Sequence, residues 1–164
     1  MNFKKINNIS GWIVCAIACT VYIITRQPTV SFWDCGEFTP AAYKLQITHA
    51  PGAPLFILLG RLFIILFSGS WDATLANPHA AIQVNLLSSL SSGFTILFLF
   101  WTITHLARKL MTTKGEVLTP EKTIAIIGAG AVGALAFAFS DSFWFSAVEA
   151  IVFGVSPLFI AMSF

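Results

Sequence analysis

The sequence predicts an all-α membrane protein with about four transmembrane helices, and three observations carry that expectation. Of 164 residues, 57% are hydrophobic and 10% charged, with a mean hydropathy of +0.83, whereas soluble domains are roughly 25% charged and about 45–50% apolar. Several apolar runs approach or exceed the ~20 residues that a helix needs to cross the hydrocarbon. The few charges also divide by sign along the chain, as the positive-inside rule describes. A net charge of +2 leaves no basic field for nucleic acid. Three cysteines, an odd number, make no disulfide framework.

The first span is expected at 9–25, behind Lys4 and Lys5. A basic start before an apolar run also describes a signal peptide, but Arg26-Gln27-Pro28 follows in place of a small-x-small cleavage site. An uncleaved span fits better. The second span, 82–106, is long enough to cross ~30 Å of hydrocarbon. The third is placed at 124–140 and the fourth at 146–164, an apolar run that continues to the last residue and reads as the N-terminal part of something larger. Leu55–Phe67 is different, being short and carrying Arg61 at its middle. An arginine at the centre of a spanning helix costs at least about 2.5–3.5 kcal/mol, whereas an interfacial helix lets it reach water or lipid phosphate. We therefore expect an interfacial helix over 55–67 inside an external loop, 26–81, and a cytoplasmic loop at 107–123. One side then holds Lys4, Lys5, Arg108, Lys109, Lys114 and Lys122, six of nine basic residues. The other holds Arg26, Lys44 and Arg61 with Asp34, Glu37, Asp72, Asp141 and Glu149. This arrangement puts the N-terminus in the cytoplasm, and the long loop shares a face with the Asp141–Ser146 turn.

Gly128, Gly130 and Gly133 have the G-x-G-x-x-G spacing of a dinucleotide fingerprint. No βαβ unit surrounds them, so no NAD is expected. Small residues packing one transmembrane helix on another explain them better. Cys15 and Cys19 read as small buried apolar residues, and Cys35 as a bystander. No Cys/His zinc spacing, phosphate loop or G-x-S-x-G elbow occurs, so no metal is expected.

The candidate chemistry lies in the external segments. Asp34 and Glu37 stand three residues apart in Ser31-Phe32-Trp33-Asp34-Cys35-Gly36-Glu37-Phe38. A partly desolvated carboxylate at an interface suits general-base work; an equally simple reading is that one of them caps a helix. His49, in a Pro/Gly-rich turn, reads as a contact for phosphate or a sugar hydroxyl, or as a structural turn residue. Lys44 and Arg61 suit an anionic head group, with snorkelling as the alternative for Arg61. Asp141 is a cap or a ligand. Glu149, inside an apolar run, is a functional candidate because an unpaired intramembrane carboxylate is expensive.

The Phe32–Phe38 segment, Pro40-Ala41-Ala42-Tyr43-Lys44-Leu45, the turn from His49 to Phe56, Val84-Asn85-Leu86-Leu87-Ser88 and the Phe143–Ala150 block together resemble one family. It comprises large multi-spanning bacterial proteins, common in Bacteroidetes and related to the eukaryotic O-mannosyltransferases of IPT domains. The resemblance implies the N-terminal portion of a GT-C-type polytopic bundle in the bacterial inner membrane, with its active site facing the periplasm. It implies inverting transfer of a sugar, expected to be mannose, from a polyprenyl-phosphate carrier to a protein Ser/Thr hydroxyl. Its partners would be a lipid-linked sugar donor, an acceptor protein and the bilayer, with no cofactor beyond the donor. Asp34 matches the catalytic base; Arg61 and Lys44 would hold the phosphate; Glu37, Asp141 and Glu149 would line the acceptor or sugar pocket. Two departures stand out: the turn reads His49-Ala50-Pro51-Gly52 where the family has His-Pro-Pro-Gly, and Ile151-Val152-Phe153-Gly154 replaces an acidic residue and a Tyr-Ala pair. The alternatives are a proton-coupled transporter using Asp34 and Glu149 as a relay, and an inactive truncated fragment. Clustered carboxylates speak against a relay, which would spread them through the membrane depth.

Overall fold

The computed structural model describes residues 2–50, 52–68, 77–113 and 118–163. Pro51, Asp72 and Lys114, which entered the readings above, lie outside these residues. Every regular element among them is a helix: α1 Phe3–Thr25, α2 Cys35–Lys44, α3 Pro54–Ser68, α4 Ala80–Met111, α5 Pro120–Ala138, α6 Asp141–Val148 and α7 Val152–Met162.

α1 begins earlier than hydropathy marks, because Asn2 caps the Lys5 N–H (3.3 Å) and the polar first turns are helix-compatible. Its buried stripe, Gly11, Val14, Cys15, Ala18 and Tyr22, has the three-to-four spacing of one helix face. α4 is central and touches every other helix. At 32 residues it runs ~48 Å, well beyond a ~30 Å hydrocarbon core. Two apolar cores meet along it. One joins α2, α3, the start of α4 and α7 through Phe38, Phe56, Ile64, Val84 and Val155. The other joins α1, α5 and α6 to the second half of α4 through Val14, Tyr22, Phe100, Ala134 and Phe143.

α1, α4 and α5 are long and apolar enough to cross a membrane. The fourth span expected over 146–164 falls on a bent helix pair. That run is cut into α6 and α7, bent by 109°, with Glu149 and Ile151 in extended conformations. Hydropathy cannot detect such a break, because the freed backbone is satisfied by another helix. Ser89 donates to the Ala147 carbonyl (2.9 Å) and Ser92 to that of Gly154 (3.1 Å), as irregular backbone at membrane depth requires. Gly154 permits the approach, since a Cβ there would lie 2.5 Å from the Ser146 carbonyl oxygen and 2.8 Å from Ser88 Cβ.

All three fingerprint glycines lie inside the continuous helix α5, where no strand-to-helix turn exists to hold a pyrophosphate. Only two of them pack closely on α4. A Cβ on Gly130 would come 2.4 Å from Thr104 Cγ2 and one on Gly133 2.9 Å from Ile103 Cδ1, whereas Gly128 has nothing within 4 Å.

The bundle has chemically distinct ends. Lys4 and Lys5 open α1, Arg108 and Lys109 close α4, and Lys122 Nζ donates to the Met111 carbonyl (3.1 Å). The opposite end carries Asp34, Glu37, Asp141 and Glu149.

Candidate functional site

The acidic end is built on a strap, residues 26–34, that leaves α1. Its backbone is fixed from two directions. The Gln27 N–H donates to the Val148 carbonyl (3.0 Å), and the Asn85 amide donates to the Gln27 and Thr29 carbonyls (2.7 and 3.3 Å). Asn85 is only 2% exposed, so its amide is dedicated to the strap. Further along, Ser31 Oγ donates to Glu149 Oε1 (2.7 Å) and the Cys35 thiol to Oε2 (3.6 Å). Glu149, at the α6–α7 break, thus grips the strap on both sides of Asp34. Burial and the neighbouring Glu149 push the Cys35 thiol up to about 12, so it stays protonated and donates. Cys35 is a donor to the site rather than a bystander.

Trp33 has φ of 63°, a left-handed conformation that is unusual for a bulky residue and recurs at functional sites. It turns the chain into Asp34, the N-cap of α2. Asp34 makes no side-chain cap hydrogen bond; its backbone carbonyl accepts from the Glu37 and Phe38 N–H groups instead (2.9 Å each). The capping reading therefore fails for Asp34. Its half-buried carboxylate stands at the end of the bundle with no hydrogen bond among the described residues.

Glu37 is differently placed. Its Oε1 accepts from the His49 backbone N–H (2.6 Å) and its Oε2 pairs with His49 Nδ1 (2.5 Å). These bonds hold Glu37 below the usual carboxylate range and His49 above the usual imidazole range. Both oxygens are occupied and basicity is lowered, so the pair clamps the His49 turn to α2 and makes Glu37 a poor base. Phe38 supports the clamp, its ring centre 6.2 Å from that of His49 and 5.4 Å from that of Phe56.

Arg61 does not snorkel. It is 8% exposed, donates Nη1–H to the Tyr43 carbonyl (2.8 Å) and lies 5.7 Å from the Tyr43 ring centre. A cation at the C-terminal turn of α2 meets the negative end of the helix dipole. Lys44 is the exposed last residue of α2, and Asp141 the exposed first residue of α6. The fold therefore brings Asp34, Glu149 and the Glu37–His49 pair together, turns Arg61 inward, and leaves Lys44 and Asp141 at the surface. Among the described residues, no three His, Cys, Asp or Glu side chains converge as a metal site. Sequence reasoning assigned no role to Ser31 or Asn85. Asn85 had a signal, an amide within an apolar run; Ser31 had none.

Comparison with known proteins places the chain in a family. A profile for the protein O-mannosyl-transferase TMEM260 N-terminal domain matches residues 34–164. The chain belongs to this family. It is 26% identical over 159 residues to protein O-mannosyl-transferase tmem260 of Dictyostelium discoideum, covering 96% of this chain and 17% of that protein. To protein O-mannosyl-transferase TMEM260 of Mus musculus it is 31% identical over 153 residues, covering 91% and 18%. The chain thus spans less than a fifth of the length of these relatives. No solved structure matches it. The family match begins at Asp34 and takes in α2 to α7, and with its long apolar helices the chain is a multi-pass membrane protein.

Proposed function

We propose that this chain forms the catalytic-base end of a membrane glycosyltransferase moving mannose from a polyprenyl-phosphate carrier to a protein Ser/Thr hydroxyl, on the non-cytoplasmic face of the inner membrane. The observation carrying this reading is the Asp34 carboxylate, positioned by a braced strap yet free of side-chain hydrogen bonds among the described residues. Asp34 takes the proton of the acceptor hydroxyl as that oxygen attacks the anomeric carbon. The bond from that carbon to the phosphate oxygen breaks, and polyprenyl phosphate departs with its electron pair. Attack opposite the leaving group inverts the centre. A phosphate leaves without an acid opposite the base, so one carboxylate suffices. Glu149 acts as a positioning residue through Ser31 and Cys35, and Glu37 through His49. Arg61 stabilises the end of α2, which leaves Lys44 as the exposed cation for the donor phosphate.

The test is transfer from radiolabelled polyprenyl-phosphate mannose to an acceptor protein, using the full-length protein that contains this chain. Removing a general base costs about 10²–10⁴-fold, so Asp34→Asn should lower kcat by that factor while folding is unchanged. Lys44→Gln should raise KM with little effect on kcat. Wild-type transfer by Asp34→Asn would remove the base assignment.

A further inference from the structure

The basic end of the bundle holds a cavity that the proposed reaction does not use. This cavity, of about 710 Å³, opens between the start of α1, the end of α4 and the end of α7. Its volume is in the range of small-molecule sites, about 300–1,000 Å³. Lys4, Arg108 and Lys109 supply its charge, and no acidic residue among the described ones lines it. Its deeper wall is apolar, with Phe98, Trp101 and Met162. The Arg108 guanidinium lies 4.9 Å over the Phe3 ring, which orders it beside the opening.

We propose that this cavity binds one anionic phospholipid, its phosphate among Lys4, Arg108 and Lys109 and its acyl chain along Phe98, Trp101 and Met162. The grading from cations to apolar wall matches an amphiphile better than a soluble anion, which would leave the apolar wall wet. Depth agrees as well. α4 exceeds the hydrocarbon thickness, so its last turns, with Arg108 and Lys109, reach the headgroup layer, where basic pockets between helices select anionic lipids.

The experiment uses the full-length protein in phosphatidylcholine nanodiscs doped with phosphatidylglycerol, with bound lipid read by native mass spectrometry. One retained phosphatidylglycerol is expected per protein. Each surface cation contributes about 1 kcal/mol of attraction to anionic lipid, equivalent to about fivefold in affinity. Arg108→Gln should therefore weaken retention about fivefold, and the triple variant Lys4→Gln/Arg108→Gln/Lys109→Gln by about a hundredfold. Arg108→Lys should largely restore binding. Lys5→Gln, on the same turn of α1 but outside the cavity lining, should leave it unchanged. A loss with Lys5→Gln equal to that with Arg108→Gln would show diffuse attraction to a basic surface and overturn the proposal. So would a full-length protein that retains no phosphatidylglycerol because its own chain fills the cavity.

Discussion

The two ends of the bundle are made from the same helices by different means. At the basic end, α1 and α4 simply begin and stop, with their charges exposed. At the acidic end the backbone is irregular: a strap, a left-handed Trp33 and a broken helix pair. Two of these, the strap and the break, are matched by buried polar side chains of α4, with Asn85 on the strap and Ser89 and Ser92 on the break. The contrast teaches where to look for chemistry in an apolar chain. Buried polar side chains that serve another segment's backbone mark the place where a fold departs from straight helices. Here that place also presents the carboxylate.

The comparison breaks most easily at Asn85. Asn85→Ala leaves the Gln27 and Thr29 carbonyls short of a donor, and an orphaned buried polar group costs about 1–3 kcal/mol. Unfolding in mild denaturing detergent should show a loss of that size, with transfer activity lost beyond it because the strap no longer presents Asp34. A full loss of stability with normal transfer would separate the strap from the site.

Two glycines of α5 sharpen the contrast between packed and open helix faces. Gly130→Ala forces a Cβ against Thr104 and Phe100 and should destabilise by about 1–3 kcal/mol. Gly128→Ala meets nothing and should stabilise by about 0.5–1 kcal/mol through the better helix propensity of alanine. Thermal unfolding of the two variants checks the opposite signs; equal effects would mean that α5 does not pack on α4 through Gly130.

The smallest effect belongs to the exposed Glu37–His49 clamp. Glu37 is held below its unfolded value, so its contribution is lost as pH falls through that lowered value. His49 is held above its unfolded value, so its contribution is complete below the unfolded range and disappears as pH rises through the raised one. The clamp should be tightest in mild acid, between the two transitions. Hydrogen exchange of the His49 amide should be slowest there, and a flat pH profile, corrected for intrinsic exchange, would contradict the pairing.

Hydrophobic runs made the three long helices legible, and charge counting made the two ends legible, because lipid solvation and charge exclusion act on composition alone. The α6–α7 break was not legible, since what permits it lies on α4 about 60 residues away. The contacts of Glu37 and Arg61 were not legible for a related reason. A carboxylate three residues after another looks equivalent to it until His49 folds back. An arginine in an apolar run looks destined for lipid phosphate until the C-terminus of α2 proves nearer. Asp34 was legible only as one of two acids, and its open carboxylate distinguishes it.

In the proposed reaction Glu149 acts only by holding the strap that carries Asp34. A double-mutant cycle on kcat in the full-length protein tests it most directly, with Glu149→Gln, Asp34→Asn and the pair. Glu149→Gln alone should lower kcat, and in the Asp34→Asn background it should cost little more, because residues acting as one unit are not additive. Losses that multiply in the pair would mean that the two carboxylates work independently, and would contradict the account.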